Sequence, residues 1–142
     1  MFIQGTKYDF GIISFSEEEI ISFAKLYDPL EFHINKEAAQ KSIFKGFVAS
    51  GPHAFHFFYI NCWIPLFGKT VMAGLGISEW KFFKPIYPEQ KVHCIVTITD
   101  VEEFPEKKSA AVNWEFEIKN EKEELFQYLN MKVLHRQLII DN

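Results

Sequence analysis

The sequence contains 142 residues, of which 48% are hydrophobic and 24% are charged, and its formal net charge is −4. This length predicts one domain, residues 1–142, and the apolar fraction is large enough to fill a core, which excludes a disordered chain. No Lys/Arg cluster offsets the mild acidity, so we expect no nucleic-acid partner. The 16 phenylalanines predict a large apolar interior, an apolar cavity or a buried interface.

The same sequence features bear on the cellular compartment. The longest nearly apolar stretch, Ala54–Phe67, is too short to span a bilayer, and the N-terminus lacks the basic segment, apolar run and cleavage site of a signal peptide. Cys62 and Cys94 each lie in an apolar run, which argues against a disulfide framework or a zinc site. We therefore expect a cytoplasmic protein with no membrane partner.

The chain opens with a predicted strand and a predicted helix. A β-rich stretch indicates a strand over residues 6–14, and Ser16 then begins a helix in which its hydroxyl and the Glu19 carboxylate form a capping box. Pro29 ends this helix, because the residue before a proline is pushed out of the helical region. Asp28 should therefore lie at the end of the helix, with its carboxylate projecting from a turn.

A long helix is predicted in the middle of the chain, after a short helix over Lys36–Lys41 that Asn35 caps. The long helix begins at Gly51-Pro52, since proline is well tolerated in the first turn, and a proline and a glycine stop it near Leu66. Its body is apolar on nearly every side, which is typical of a helix that is buried all round.

The second half of the chain predicts strands, several of which alternate apolar and polar residues. Together with the first strand they indicate an α+β domain, in which a curved antiparallel sheet wraps around the long buried central helix. The four predicted strands are Thr70–Phe83, Lys91–Val101, Ser109–Lys119 and Leu125–Leu138.

Asp28 and His33 are the first candidates for chemistry. The proline between them forbids simple helical continuation, so they lie on one rigid turn. A carboxylate and an imidazole in that arrangement can orient each other, and together they can bind and deprotonate a water molecule. Ordinary turn chemistry with a solvated histidine nearby is the alternative, and the spacing alone leaves both interpretations open.

Gly51 is the second candidate. Free N–H groups at a helix N-terminus carry partial positive charge and can stabilise a developing oxyanion, and glycine lets a ligand carbonyl approach the backbone closely. Ser50-Gly51-Pro52 is also an ordinary helix start, which is the commoner interpretation when this signal stands alone.

Further polar side chains lie on the predicted central helix. His53 and His56 share one face, but no carboxylate occurs between Ser50 and Met72 to complete a metal site, so we expect no metal and favour pocket-lining or hydrogen-bonded core histidines. Tyr59 is a polar group on an apolar helix, and a pocket would supply its partner through a substrate or water. No nucleotide-binding or hydrolase motif is present, and we expect no cofactor.

Three segments in order resemble the MaoC-like, or (R)-specific enoyl-CoA hydratase, family of the hotdog fold. Residues 24–39, AKLYDPLEFHINKEAA, are similar to the family's hydratase motif, in which Asp and His stand five apart and an acidic-then-Ala helix follows. Residues 46–51, GFVASG, resemble the loop that opens the central helix, and residues 76–85, GISEWKFFKP, resemble the strand that leads to its F-x-x-P-V ending.

The resemblance implies a hotdog domain in which Asp28 and His33 are the catalytic pair and the Gly51 N–H is the oxyanion donor. The implied enzyme is a carbon–oxygen lyase of fatty acid metabolism, which interconverts a trans-2-enoyl thioester and a 3-hydroxyacyl thioester of coenzyme A or acyl carrier protein. Hotdog proteins generally dimerise by joining their sheets, so a homodimer or a higher homo-oligomer is also implied. The residues implied in substrate binding are Ser50, His53 and Tyr59.

Two departures from the family pattern keep other functions open. Pro29 directly follows Asp28 and Leu30 stands where the family has Asn, and Ser50 replaces the common His before the loop glycine. The first alternative is a catalytically silent hotdog domain that binds an acyl thioester or a partner protein. The second is a hotdog acyl-CoA thioesterase, against which the absence of an acidic residue on the central helix argues. The sequence leaves the acyl chain length, the carrier and the pathway open.

Overall fold

Five strands and one long helix form the frame of the protein, and three shorter helices precede the long one. The computed structural model describes residues 1–137, so Leu138, the last residue of the predicted fifth strand, lies outside the described residues. Within this range, no helix combines the length and the apolar character needed to cross a bilayer. The strands are β1 (Lys7–Ile13), β2 (Val71–Phe82), β3 (Val92–Phe104), β4 (Ser109–Lys119) and β5 (Leu125–Arg136), and the short helices are α1 (Glu17–Tyr27), α2 (Glu31–Ile34) and α3 (Lys36–Lys41).

The N-terminal elements form where the sequence predicts them, because the signals that set them are local. Ser16 Oγ accepts the Glu19 N–H at 3.1 Å while the Glu19 carboxylate accepts the Ser16 N–H at 3.0 Å, which confirms the capping box. Asn35 caps α3 in the same way by accepting the Ala38 N–H at 3.0 Å. In β1, Gly11 adopts a φ of 89° at a bulge in the pairing with β3.

The segment after α1 contains a helix that the sequence did not predict. Pro29 separates α1 from α2 and prevents α1 from continuing, but it places no restriction on the residues that follow it. One helical turn therefore resumes at Glu31–Ile34, and His33 lies on this helical turn.

The central helix has three segments: it is α-helical over Gly51–Phe58, π-helical over Tyr59–Trp63 and α-helical again over Ile64–Phe67. The wide π turn comes directly before Pro65, whose ring and missing N–H are incompatible with regular α-helical hydrogen bonding. The helix therefore passes through the proline, and a 3₁₀ turn over Gly68–Thr70 follows.

The two halves of the central helix differ in burial. Phe55 and Phe58, in the first half, are buried in the core. In the second half, the exposed fractions are 45% for Ile60, 40% for Ile64 and 62% for Leu66. The prediction that this helix is buried all round is therefore wrong for its second half, because the sheet of one chain covers only one side of it.

The sheet has the strand order β1-β3-β4-β5-β2, and all neighbouring strands are antiparallel. Aromatic rings join the helix to the central strand β4. Phe55 meets Phe116 at a centroid distance of 5.1 Å, and Trp63 meets Trp114 at 5.4 Å with the rings perpendicular. This is the curved antiparallel sheet around a central helix that the hotdog fold predicts.

A buried histidine ties β5 to the end of the central helix. His135 is fully buried, and its Nε2 accepts the indole N–H of Trp114 at 3.1 Å. Its Nδ1–H therefore donates to Thr70 Oγ1 at 2.9 Å, and that hydroxyl donates to the carbonyl of Phe67 at 3.2 Å. Burial lowers the pKa of His135 to about 4, so the neutral ring is the form that the fold accommodates.

The edge strand β2 presents apolar side chains to the outside. Three irregularities interrupt its pairing with β5, and an edge with unpaired backbone groups is a template for pairing with another chain. The exposed apolar side chains of β2 and the residue after it are Met72, Leu75, Ile77, Phe82 and Phe83.

Candidate active site

Asp28 and His33 come together where α1 ends and α2 begins. Asp28 is the C-terminal cap of α1, and His33 lies on the single turn of α2. The Asp28 Oδ2 is 3.4 Å from the His33 Nε2. The imidazole is buried, whereas 28% of the Asp28 side chain is exposed, so the carboxylate is accessible from a neighbouring cavity.

A backbone carbonyl fixes the orientation of the His33 ring. The His33 Nδ1 lies 2.6 Å from the carbonyl oxygen of Val48. Because a carbonyl oxygen only accepts, Nδ1 carries the hydrogen, and the lone pair of the neutral imidazole is then on Nε2. That nitrogen and the Asp28 carboxylate are two acceptors on the same side of the site, where a water molecule can donate to either.

Ser50 holds the Asp28 carboxylate. The fully buried Ser50 hydroxyl donates to Asp28 Oδ2 at 2.7 Å. Ser50 is also the N-cap residue of the central helix, where a serine side chain ordinarily accepts a backbone N–H of the first turn. Here its side chain makes no such bond, so the hydroxyl serves Asp28 and the helix N-terminus has no side-chain cap.

Gly51 is the first residue of the central helix, and the Phe82 ring lies against it. A Cβ placed on Gly51 would be 2.8 Å from Phe82 Cε1 and 2.9 Å from Phe82 Cζ, which is too close for any residue other than glycine unless the ring moves. The N–H of Gly51 is at the positive end of the helix dipole, where it can donate to an oxygen that gains negative charge.

Asp28, His33 and Gly51 line one cavity of about 420 Å³. Lys84 and Gln127 are the other polar residues of its wall, which is otherwise apolar. An apolar cavity with a few convergent polar groups is typical of a small-molecule site. The aromatic part of the wall consists of Phe32, Phe44, Phe82 and Phe83.

A second cavity lies along the same face of the central helix. Phe55, Tyr59 and Trp63 follow Gly51 at intervals of four residues, which puts them on one side of the helix, and their rings stack in sequence at centroid distances of 5.4 Å. These three residues line a cavity of about 390 Å³ between the helix, β2 and β5. The two cavities are therefore neighbours along one face of the central helix.

Three aromatic rings connect the walls of the two cavities, since Phe82 lines the first cavity, Phe55 lines the second, and Trp80 contacts both rings. The Trp80 ring lies 5.3 Å from the Phe55 ring and 5.6 Å from the Phe82 ring, measured between centroids. Trp80 lies beside Glu79, which has a φ of 55° within an irregularity of β2. Such bulges re-aim side chains, and Trp80 is less exposed than its neighbours in the strand.

Neither His53 nor His56 lines the cavities. The His53 ring stacks between Phe15, at 4.0 Å, and Phe23, at 4.1 Å, because α1 packs over that face of the central helix. Burial lowers the pKa of His53 to about 4. His56 lies against the Tyr27 ring at 5.5 Å. Among residues 1–137, no three His, Cys, Asp or Glu side chains are arranged to hold a metal ion.

The structure thus places the predicted site residues in different surroundings, and it brings two residues to the first cavity that were not predicted. Gln127 and Phe82 line the cavity but were missed by the sequence analysis. A signal for Gln127 was present, because it has the same parity in β5 as the apolar residues Leu129 and Met131. Of the predicted residues, Asp28, His33 and Gly51 line the first cavity, Ser50 contacts Asp28, Tyr59 lines the second cavity, and His53 lies under α1.

Comparison with solved structures shows which fold the protein has. The MaoC-like dehydratase from Rhodospirillum rubrum superposes with a TM-score of 0.83 at 24% identity, covering 98% of this chain and 96% of that chain. The R-hydratase PhaJ1 from Pseudomonas aeruginosa superposes with a TM-score of 0.74 at 16% identity, covering 99% of this chain and 89% of that chain. The protein therefore has the hotdog fold of these two proteins.

Sequence comparison defines the family. Residues 3–119 match the family model of the MaoC like domain. The uncharacterized protein YdeM of Bacillus subtilis (strain 168) is 32% identical over 87 residues, which is 60% of this chain and 61% of that protein. The alignment thus spans about three-fifths of the relative's length. The chain belongs to the MaoC-like dehydratase family.

Proposed function

We propose that the protein is a hydratase/dehydratase that interconverts a trans-2-enoyl thioester and a 3-hydroxyacyl thioester. Membership of the MaoC-like dehydratase family supports a hydratase or dehydratase in general. The observation that carries the specific proposal is the convergence of Asp28, His33 and Gly51 on one cavity of about 420 Å³. An imidazole that takes and returns a proton, a carboxylate that stabilises its charged form and a backbone donor are the groups that addition of water to an activated double bond requires.

His33 and Asp28 would activate the water. With Nδ1–H bonded to Val48, the free Nε2 of His33 takes a proton as the water oxygen bonds to C3 of the enoyl group. The Asp28 carboxylate, 3.4 Å away, stabilises the imidazolium that forms. The same proton then passes to C2, so His33 returns to its neutral state and the elements of one water molecule have been added.

Gly51 would stabilise the charge that develops during this addition. Attack at C3 shifts the electrons of the double bond towards the thioester carbonyl, whose oxygen gains enolate character. A backbone N–H at a helix N-terminus binds that oxygen more tightly as its charge grows, which lowers the barrier. The position of Gly51 supports the role, because the N–H of the first helical residue has no acceptor within the helix.

The acyl group is proposed to be short. The Trp80 ring contacts Phe82 in the wall of the first cavity and Phe55 in the wall of the second, and we infer that it separates the two cavities. A chain of a few carbons fits in the first cavity, whereas a longer chain has to displace the Trp80 ring to reach the second.

We also propose a homodimer in the cytoplasm, with residues 1–142 as one domain. The apolar edge strand β2 and the exposed second half of the central helix support association with a second copy, because together they expose a large apolar area. Cys62 and Cys94 form no disulfide, which is consistent with a reducing compartment. Light scattering at micromolar concentration tests the dimer, and a monomeric mass would contradict it.

Incubation of the protein with crotonyl-CoA tests the proposed reaction. We expect loss of the enoyl absorbance, formation of 3-hydroxybutyryl-CoA, and no release of free thiol. Release of thiol would instead indicate a thioesterase. Binding of the thioester with no change in either signal would indicate the catalytically silent domain.

A further inference from the structure

The inward-facing row of β5 contains one polar side chain that the fold does not satisfy. Leu129, Met131 and Val133 point into the core and are nearly fully buried. Of the two polar residues in the same row, His135 has hydrogen bonds at both ring nitrogens. The other is Gln127, which is 4% exposed.

The amide of Gln127 lies in the wall of the active-site cavity. Its Oε1 is buried and has no hydrogen-bond partner among the described residues. Gln127 pairs in register with Phe82, the residue whose ring lies against Gly51, so the amide is on the strand next to the proposed oxyanion site. A buried acceptor without a donor destabilises the folded protein, and an apolar residue of the same length would avoid that cost.

We propose that Gln127 is a substrate contact, which accepts a hydrogen bond from an N–H or O–H group of the bound thioester. The inference rests on the proposed function, because the ligand it requires is the acyl thioester that occupies this cavity. An amide does not ionise, so it recognises a neutral polar group at every pH at which the protein is folded. Gln127 is thus a specificity-determining residue and takes no part in proton transfer.

Outside the reacting C2–C3 unit, two parts of the thioester carry the required donor. The pantetheine arm of the carrier contains amide N–H groups, and an acyl group with a hydroxyl beyond C3 contains an O–H. Both offer the same chemistry to Gln127. Saturated thioesters distinguish them, since butyryl-CoA has donors only on its coenzyme, whereas 4-hydroxybutyryl-CoA also has the acyl hydroxyl.

Calorimetric binding of these two saturated thioesters to wild type and Gln127→Met tests the proposal. Methionine keeps the length of the side chain and removes the amide, so we expect the free variant to melt at or above the wild-type temperature. If the pantetheine is the partner, both ligands bind about tenfold more weakly, which is the effect of one neutral hydrogen bond. If the acyl hydroxyl is the partner, only 4-hydroxybutyryl-CoA loses affinity. Gln40→Met, the same change on the exposed face of α3, should leave binding unchanged.

Unchanged affinity of Gln127→Met for both ligands would overturn the proposal. A lower melting temperature accompanied by loss of binding would also overturn it, because it would give Gln127 a structural role. Saturated thioesters cannot be hydrated, so these results do not depend on turnover. If the wild-type protein does not hydrate crotonyl-CoA but Gln127→Met still weakens binding, the proposed reaction is wrong and the proposed contact stands.

Discussion

Replacing Gly51 by alanine places a methyl group where the Phe82 ring now lies. The added Cβ would be 2.8 Å from Cε1, 2.9 Å from Cζ and 3.2 Å from Cδ1 of that ring. The ring has to move, and it has room to do so, because Phe82 is 52% exposed. Overpacking typically costs about 1–3 kcal/mol, and a mobile neighbour brings the cost to the lower limit. Alanine is favoured over glycine in a helix by up to about 1 kcal/mol, so the two effects nearly cancel.

The same substitution should strongly reduce activity. The displaced ring and the new methyl group both occupy the side of the cavity from which a thioester carbonyl reaches the Gly51 N–H. Loss of one oxyanion donor lowers the rate by about 10²–10³, and we expect Gly51→Ala to reduce kcat/KM for crotonyl-CoA hydration by that amount. The free energy of unfolding from a urea titration should stay within about 1 kcal/mol of the wild-type value.

Two further variants separate the causes. Gly46→Ala is a matched control, because a Cβ there meets no atom within 4 Å, and it should leave kcat/KM unchanged. The second variant removes the ring. Gly51→Ala should lower kcat/KM by a smaller factor in the Phe82→Ala background than it does in the wild-type protein. Wild-type kcat/KM in Gly51→Ala would refute the reasoning, since a crowded N–H could not then be the oxyanion donor.

Three other outcomes follow from the structure. The pKa of His53 and of His135 falls from 6.5 in the unfolded chain to about 4 in the folded protein, so the unfolded chain binds more protons between these pH values. The free energy of unfolding, measured by urea titration, should therefore fall by about 3 kcal/mol per histidine from pH 7 to pH 4. A flat pH profile would contradict the burial of both neutral rings. Ser50→Ala removes the 2.7 Å hydrogen bond to Asp28 and should lower kcat/KM about 10- to 100-fold. Ser50→Thr keeps the hydroxyl and should retain most of the wild-type kcat/KM. Equal losses in the two variants would show that the hydroxyl is not the cause. Trp80→Ala should raise the ratio of kcat/KM for a trans-2-octenoyl thioester to kcat/KM for crotonyl-CoA by at least about tenfold, since each CH₂ buried in the second cavity contributes about 0.8 kcal/mol. An unchanged ratio would contradict the proposal that Trp80 separates the two cavities.

The parts of the fold that depend on residues close together in the sequence could be predicted from the sequence. The capping box of Ser16 and Glu19 and the cap at Asn35 set their helices through contacts over three residues. The alternation in β4 likewise gave its bounds directly. The π turn before Pro65 was not predicted, because a proline signals a break in regular hydrogen bonding without showing how the chain accommodates it.

The candidate site was predictable only in part, for the same reason. The five-residue spacing of Asp28 and His33 is local and drew attention to the pair. The bond from Ser50 to Asp28 joins residues 22 apart in sequence, and the position of His53 depends on rings of other elements. A sequence pattern could place His53 on a helix face, but not show that α1 would cover that face.

The most direct test of the central claim is kcat/KM for crotonyl-CoA hydration by Asp28→Asn and His33→Ala, measured with their melting temperatures. Asp28→Asn keeps the size of its side chain, His33→Ala removes the imidazole from the cavity wall, and each removes one member of the pair that would activate water. We predict that each lowers kcat/KM at least about a hundredfold while the protein melts near the wild-type temperature. Turnover close to wild type in both variants would contradict the account.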